Sequence, residues 1–318
     1  MENIHHKKLS IKDRYTRSLK KISKDFMVNK SLYLMVLPIL LYFIIFKYIP
    51  MYGASIAFKN FSIVKGITGS SWVGFKHFER FFSSIYFWRL LKNTFNISIN
   101  TILWGFPAPI IFALALNEVK KRRFKSVVQT LTYLPHFISL VIVIGLVKKF
   151  TLTDGLINDF IVAIGGERFP MLQIPKFFLP IYITSEVWQT FGWNSIIYLA
   201  ALAGIDEQLY EAAKIDGANR WKQTLNITLP AISPTIIILL ILRIGSVLSV
   251  GFEKIILMYS PATYEVADVI STYVYRTGLL EMNFSYSTAI GLFNSFLNFT
   301  FLIVANKLSR RFSETSLW

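Results

Sequence analysis

The chain has 318 residues, of which 53% are hydrophobic and 16% aromatic, and this is more apolar surface than a soluble domain of that length buries. The net charge of +16 would suit a nucleic-acid binder, but the basic residues lie mainly between long apolar runs, which favours a membrane protein. The chain contains no cysteine, which excludes disulfides, cysteine-ligated metals and a cysteine nucleophile.

The first thirty residues are polar and basic, and they lack the apolar core and small-residue cleavage site of a secretory signal. The stretch from Ile11 to Met27 spaces apolar residues three or four apart, with basic residues between them. It predicts an amphipathic helix on the inner leaflet, and a disordered basic tail is the alternative. We expect three parts: this N-terminal segment (1–30), a membrane domain (31–308) and a C-terminal tail (309–318).

Six segments are long and apolar enough to cross the hydrocarbon core as helices, which takes roughly 20 residues each. They are Leu32–Ile49, Thr94–Leu116, Val127–Val147, Phe178–Ala203, Ile232–Phe252 and Ser287–Val304. Backbone amides in lipid must bond internally, and the sequence lacks the short alternating strands of a barrel. The sequence therefore predicts an all-α membrane protein with six transmembrane helices.

Lysine and arginine residues set the predicted orientation. The segments assigned to the inner side carry 20 of them, against 13 in longer outer segments, with Arg243 unassigned. The densest basic loop follows the second predicted helix and reads Lys120-Lys121-Arg122-Arg123. Because basic residues are enriched in cytoplasmic loops, both termini are predicted to lie in the cytoplasm.

The fourth predicted helix carries a polar and aromatic face. Glu186, Gln189 and Trp193 are three and four residues apart, which places them on one side of the helix. Trp188 and Asn194 flank them. Such a face lines a solute pathway or forms hydrogen bonds between helices, and the sequence leaves both interpretations open.

Arg243 falls in the middle of the fifth predicted helix, where a charge is costly unless it faces a cavity or a partner. It either binds an anionic or hydroxyl-rich solute or pairs structurally with Glu186 or Glu253. In the sixth predicted helix, Asn294 and Asn298 form a second polar stripe, with the same two interpretations as the first. The four histidines are scattered and join no carboxylate cluster, so no metal site is predicted.

The loop between the fourth and fifth predicted helices, residues 207–230, carries the most specific motif. Its fixed positions, together with the aspartate before the glycine, are Glu211, Ala212, Ala213, Asp216, Gly217, Ile227, Leu229 and Pro230. Residues 207–216 favour a helix, Gly217 permits a bend, and residues 218–228 are predicted to form a second short helix that Pro230 stops. The two alanines permit close approach to a partner surface, and Glu211 offers a charge across it.

This loop resembles the E-A-A loop of the permeases of binding-protein-dependent ABC importers: E-A-A, three residues, glycine, nine residues, I-x-L-P. The resemblance implies a six-helix type I importer permease whose loop is the coupling helix that inserts into a cleft of a separate ATPase. It also implies a complex in the inner membrane with a second homologous permease, two ATPase subunits and an extracytoplasmic solute-binding protein. No Gly-Lys pair, the end of a phosphate-binding loop, occurs in the chain. We therefore expect a non-catalytic subunit without a cofactor, with ATP and Mg²⁺ bound by the partner ATPase.

Softer stretches resemble the complex-polysaccharide branch of the sugar importers. They include Leu131–Ser139, Gly251–Glu253, Tyr264–Asp268, Thr272–Arg276 and the tail Ser313–Trp318. This resemblance implies an oligosaccharide substrate and a chain that forms half of its pathway, and the alginate importers are one candidate. Two rival classes are an ion-driven secondary transporter, which needs inverted repeats, and a membrane-embedded enzyme, which needs a carboxylate or histidine constellation. Neither feature is clear in the sequence.

Overall fold

The structure is a computed structural model that describes residue 25 and residues 27–312. The chain divides into two compact units, residues 1–55 and 56–318. The predicted amphipathic helix lies almost entirely outside the described residues, as does the tail after residue 312. The described part is mainly helical, which agrees with the predicted all-α class.

The first unit contains one long helical segment. Helix α1 (Lys30–Phe43) continues through a π turn (Ile44–Tyr48), helix α2 (Ile49–Met51) and a 3₁₀ segment (Tyr52–Phe58) that leads into the second unit. The apolar side chains of α1 are exposed along its length, as expected for a helix whose surroundings are lipid or another chain.

The second unit begins with a short ribbon and then the helices of the bundle. Strands β1 (Lys59–Asn60) and β2 (Ser71–Trp72) pair antiparallel, with Lys59 opposite Trp72. The helices up to the middle of the chain are α3 (Gly66–Gly69), α4 (Lys76–Phe82), α5 (Phe87–Gly105), α6 (Pro107–Asn117), α7 (Arg122–Phe137), α8 (Leu140–Thr151) and α9 (Leu156–Ala163).

The second half of the chain starts with α10 (Pro175–Ala203), a helix of 29 residues preceded by a 3₁₀ turn (Met171–Gln173). The remaining helices are α11 (Glu207–Ile215), α12 (Arg220–Gln223), α13 (Leu229–Gly245), α14 (Phe252–Met258), α15 (Tyr264–Ala267), α16 (Ile270–Tyr275) and α17 (Phe284–Phe312). Two π turns (Thr224–Thr228 and Arg276–Leu280) and a 3₁₀ turn (Pro261–Thr263) complete the described elements.

Helix α10 is the centre of this unit. It packs against α5, α6, α7 and α13, and its buried residues include Phe178, Tyr182 and Tyr198. A main apolar cluster joins α10 to α8 and α14 through Val143, Ile144 and other buried side chains. Its polar residues have different surroundings, since Gln189 is buried in the helix packing and Asn194 lines a cavity.

Four helical spans among the described residues are long and apolar enough to cross a membrane: Lys30–Phe58, Phe87–Asn117, Arg220–Gly245 and Phe284–Arg310. The pair Arg122–Phe137 and Leu140–Ala163, bent by 98°, would make a fifth. Helix α10 is not among them, because the polar residues that follow Ser185 lower its mean hydropathy. The predicted number of six crossings is therefore not confirmed.

Two predicted segments differ from the observed helices. The prediction of one helix over Val127–Val147 is wrong, because Ile138 and Ser139 have extended backbones and separate α7 from α8. Pro135 weakens the last turn of α7, since it has no N–H for the carbonyl of Leu131. The prediction of one helix over Ile232–Phe252 is also wrong, because α13 ends at Gly245.

A buried carboxylate organises the segment between α14 and α17. The Asp268 side chain is fully buried and accepts hydrogen bonds from Arg276, at 2.7 and 3.2 Å, and from the Thr272 hydroxyl at 2.8 Å. Arg89 of α5 approaches the same carboxylate at 3.5 Å. Burial would lower the pKa of Arg276, but hydrogen bonding and attraction to Asp268 outweigh burial and raise it. The cluster fixes α15 and α16 against α5.

Candidate functional site

The loop 207–230 begins with a capped helix. The Asp206 carboxylate accepts a hydrogen bond from the Gln208 N–H at 2.9 Å, which satisfies one free amide at the start of α11. Asn219 does the same for α12, accepting from the Lys222 N–H at 2.9 Å. Two N-caps within one loop fix where each of its helices starts.

Gly217 forms the bend between the two helices. Its φ of +75° lies in the left-handed region, where a side chain is unfavourable. The Gly217 N–H donates to the Lys214 carbonyl at 3.1 Å, and the Ala218 N–H donates to the Ala213 carbonyl at 2.8 Å. This pair of bonds is a Schellman motif, which ends α11 and reverses the chain. The bend agrees with the sequence prediction.

The second part of the loop differs from the prediction, because Pro230 does not stop it. Helix α12 continues through the π turn Thr224–Thr228 into α13, so that Arg220–Gly245 is one helical span of 26 residues. The π turn pairs the Leu229 N–H with the Thr224 carbonyl, and this wider register lies immediately before the proline. We attribute the continuity to that register, which accommodates a residue without an N–H.

One contact joins the two arms of the loop, and another holds the loop against the bundle. The Tyr210 hydroxyl of α11 and the Thr228 hydroxyl lie 2.9 Å apart, which joins the two arms of the loop. Arg220 forms an ion pair with Glu118, the residue after α6. The E-A-A residues lie on the outer side of this hairpin: Glu211 and Ala212 are exposed and Ala213 is half-buried. Ile227 and Leu229 are half-buried, while Asp216 and Pro230 are exposed.

A cavity of about 830 Å³ lies beside the middle of α10. Helices α5, α6, α10 and α13 line it, and the lining is mainly apolar with a few polar groups. Four of the predicted pathway residues contribute to it: Glu186, Trp193, Asn194 and Arg243. Thr101, Thr190 and Ser246 add hydroxyl groups. An apolar wall with convergent polar groups is the usual character of a binding cavity.

The two charged residues in this cavity have different environments. Glu186 accepts a hydrogen bond from the Lys254 ammonium at 2.9 Å, and the Lys254 side chain is only 3% exposed. Arg243 is exposed to the cavity and forms no ion pair with any carboxylate of the described residues. Structural pairing of Arg243 with Glu186 or Glu253, one of the two predicted interpretations, is absent from the part of the chain described.

Arg243 also lies elsewhere in its helix than the sequence predicted. It occupies the last turn of α13, two residues before the helix ends, and not the middle of a crossing. The helix ends there because Ser246 leaves the helical region and residues 246–251 form an irregular loop. The predicted helix continued to Phe252 because residues 246–252 are apolar enough to extend it.

The irregular loop 246–251 encloses a smaller cavity of about 150 Å³, which shares Thr101, Glu186, Arg243 and Ser246 with the larger one. Its backbone is held by neighbouring side chains. The Leu248 N–H donates to Asn298 at 2.9 Å, and the Asn298 amide donates to the Ser249 hydroxyl at 3.1 Å. Asn298 therefore holds the loop that forms one wall of the smaller cavity. This agrees with the second interpretation of its polar stripe, hydrogen bonding between helical segments.

The remaining predicted residues lie around these cavities. Asn294 is half-buried, and its carbonyl oxygen has no hydrogen-bond partner among the described residues. Gln189 is buried in the helix packing, whereas Trp188 is 45% exposed. None of these three lines the large cavity.

Trp193 has a close partner on α7. Its ring stacks on His136 with centroids 4.7 Å apart and planes 3° from parallel. The adjacent Gly192 permits this approach, because a Cβ at that position would lie 2.2 Å from the Thr132 carbonyl oxygen. The pairing of Trp193 with His136 across two helices has no signal in their sequence spacing.

Lys254, the ion-pair partner of the cavity residue Glu186, is a residue that the sequence interpretation missed. It lies in the apolar stretch Phe252–Met258, and a lone lysine among apolar residues was the available signal. No group of three or more histidine, cysteine, aspartate or glutamate side chains that would hold a metal ion occurs in the described ranges.

Comparison with known proteins gives concordant matches. The family model described as "Binding-protein-dependent transport system inner membrane component" matches residues 105–314. The chain is 47% identical over 291 residues to the polygalacturonan/rhamnogalacturonan transport system permease protein YteP of Bacillus subtilis (strain 168), covering 91% of both. It is 45% identical over 291 residues to Protein LplB of the same organism, covering 91% of this chain and 92% of LplB.

Solved structures agree with these matches. A chain of a bacterial ABC transporter involved in the import of the acidic polysaccharide alginate aligns with a TM-score of 0.86 and 46% identity. The alignment covers 92% of this chain and 99% of that chain. A second structure contains that transporter in complex with an alginate pentasaccharide-bound periplasmic protein. This chain therefore belongs to the family of inner-membrane components of binding-protein-dependent transport systems, with the fold of a type I ABC importer permease.

Proposed function

We propose that this permease conducts an acidic oligosaccharide through the 830 Å³ cavity, of which Arg243 is the anion-binding residue. The chain is the permease of a sugar importer, and two relatives support an acidic sugar. One is named for polygalacturonan and rhamnogalacturonan, and the other belongs to an importer of the acidic polysaccharide alginate. Uronate residues carry the carboxylates that an arginine binds well.

The unbalanced charge of Arg243 is the observation that carries the proposal. Lys254 neutralises Glu186, so the cavity keeps one positive charge. A cation within a membrane bundle is costly unless a cavity or an anion solvates it. A passing uronate would satisfy Arg243, while the Trp193 face and the nearby hydroxyl groups would contact the sugar ring.

The rest of the importer follows from the family. We propose that a second homologous permease completes the pathway, that two ATPase subunits bind ATP and Mg²⁺, and that an extracytoplasmic binding protein delivers the sugar. Both termini lie in the cytoplasm, on the same side as the loop 207–230. The ion-driven transporter and the membrane-embedded enzyme have no observation in their favour.

The helical span Arg220–Gly245 supports a route for coupling. Its first residue, Arg220, lies in the E-A-A loop, and Arg243 lies near its other end. At 1.5 Å per residue, Arg220 and Arg243 are roughly 35 Å apart along the helix. A motion that the ATPase imposes on the loop is thereby transmitted along one continuous helix to the cavity. Ala212 and Ala213 allow close approach to the ATPase, and Glu211 supplies the charge.

Uptake by the complete transporter in proteoliposomes tests the substrate. We expect an oligogalacturonate to be taken up with ATP and its binding protein, and Arg243→Gln to lower that uptake about tenfold while a neutral galactooligosaccharide of equal length is unaffected. Equal effects on both sugars, or no effect on either, would remove Arg243 from anion recognition.

A separate substitution tests coupling. Glu211→Lys should abolish uptake while the complex still inserts and assembles, because the charge at the ATPase interface is reversed. Gln208→Lys places a lysine at another exposed position of the same helix, outside the E-A-A residues, and serves as its control. Normal uptake by Glu211→Lys would exclude the coupling role.

A further inference from the structure

A third cavity, of about 400 Å³, lies between α7, the end of α6 and the end of α10. Its polar wall contains Asn117, Lys125, Gln129 and Tyr133, and its apolar wall belongs to α10. Ile196 and Ala200 line both this cavity and the central one. The two cavities therefore adjoin along α10, in the direction of its last residues.

Helix α7 presents two different faces. Lys125, Gln129 and Tyr133 are spaced by four residues, which places them in one stripe, and all three are half-buried. The opposite side carries exposed apolar residues, among them Val127 and Leu134. An apolar surface suits lipid, whereas a stripe with a lysine requires water, a polar ligand or a polar partner.

The polar stripe leads to the central cavity. His136, three residues beyond Tyr133 on the same side of α7, stacks on Trp193, which lines the central cavity. Lys125 forms no ion pair with a carboxylate in the ranges that the structure covers, so its charge is available to an anion. Arg243, which lines the central cavity, likewise forms no ion pair with a carboxylate of the described residues.

The two cations lie at different depths along α10. Glu186 and Arg243 line the same two cavities, and Ala203 lines the cavity that contains Lys125. These two residues of α10 are roughly 25 Å apart along the helix axis. An extended polyanion that occupied both cavities would therefore place different carboxylates at the two positions.

We propose that Lys125, Gln129 and Tyr133 form a second, inner binding site for the carboxylate and hydroxyl groups of an acidic oligosaccharide, which receives the chain after Arg243. This site rests on the proposed substrate class. Lys125 supplies the charge, and the amide of Gln129 and the hydroxyl of Tyr133 supply hydrogen bonds. Unlike Arg243, the inner site is close to the dense basic loop 120–123.

The test is uptake of oligogalacturonate into proteoliposomes that contain the complete transporter, its ATPase and its binding protein. We expect Lys125→Gln to lower the initial rate about tenfold, Lys125→Arg to retain it, and a neutral galactooligosaccharide of equal length to be unaffected. Arg123→Gln is the matched control, because it removes the same charge two residues away on the opposite side of α7. It should behave like the unmodified protein.

Three outcomes would overturn the inner site. Lys125→Gln and Arg123→Gln could have equal rates, or Lys125→Gln could slow both sugars alike, which indicates a structural role. The effect of Lys125→Gln could instead vanish when phosphatidylcholine replaces phosphatidylglycerol, which assigns the cavity to a lipid headgroup.

If Arg243→Gln impairs oligogalacturonate uptake and Lys125→Gln does not, only the inner site fails. If the unmodified transporter takes up no acidic sugar, the proposed function fails as well.

Discussion

The ion pair between Glu186 and Lys254 predicts an asymmetric response to substitution. Lys254 is buried, and the described residues offer its ammonium no carboxylate other than Glu186 within ion-pair distance. Removing one partner of a buried pair costs about 3–5 kcal/mol, because it leaves the other charge uncompensated. Glu186→Gln should cost about 3 kcal/mol, the lower limit, since the glutamate side chain is 24% exposed.

The reverse substitution should cost much less. Lys254→Met keeps the unbranched length of the side chain and removes the buried charge. The Glu186 carboxylate then remains beside the cavity that also contains Arg243, where a cation and water solvate it. We expect a loss of about 1 kcal/mol for Lys254→Met. The double variant should be more stable than Glu186→Gln alone, with a coupling energy of about 2 kcal/mol.

Unfolding of the purified chain in mixed micelles measures these differences, with SDS as the denaturant and tryptophan fluorescence as the signal. The four proteins form a double-mutant cycle, in which the pairwise term separates from the cost of each single change. If Lys254→Met were the more destabilising single variant, or if the two losses simply added, the burial of the lysine would not set the energy of this pair.

Three further predictions concern the loop 207–230, the Asp268 cluster and His77. Gly217→Ala should destabilise the loop by about 1 kcal/mol. Left-handed backbone strain is the whole cause, because no atom lies within 4 Å of the added Cβ. Faster amide exchange over residues 207–228 would report this loss. Arg276→Gln should cost about 3 kcal/mol in thermal unfolding, because among the described residues the buried Asp268 then keeps only one nearby cation, Arg89 at 3.5 Å, besides its hydrogen bond from Thr272. Adding Asp268→Asn should recover part of that loss. Burial lowers the pKa of His77, so at mildly acidic pH the folded chain binds fewer protons than the unfolded one. The free energy of unfolding should therefore fall as the pH drops through 6.5 and level off below the folded pKa. His77→Gln should remove this acid dependence.

The sequence predicted those parts of the site that depend on local chemistry. Gly217 is such a local signal, and the structure places a Schellman turn at that position. Helical spacing placed Glu186 and Trp193 on one side of α10, and both line the central cavity. A periodic pattern is sufficient for such predictions because it concerns one helix at a time.

The parts that were missed depend on contacts between distant segments. Nothing in the spacing of Glu186 indicates Lys254, which is 68 residues away and reaches it only because α13 ends at Gly245 and the chain turns back. The helix continued through Pro230 because a π turn precedes the proline, and the register of backbone bonds is not visible in a residue pattern. Both errors applied a rule for regular α-helices to a segment whose backbone is not a regular α-helix.

The end of α13 connects the two halves of the proposed mechanism. Arg243 lies two residues before the loop 246–251, and that loop is held from the other side by Asn298 of α17. If the ATPase moves the E-A-A loop, the helical span Arg220–Gly245 transmits the motion to a point where the backbone is already irregular and is fixed by side-chain hydrogen bonds. Such a junction bends more easily than a continuous helix, because few backbone bonds must break. In the proposed mechanism, Arg243 lies beside this junction, so movement at the loop would shift the cation that faces the solute while the centre of α10 stays in place.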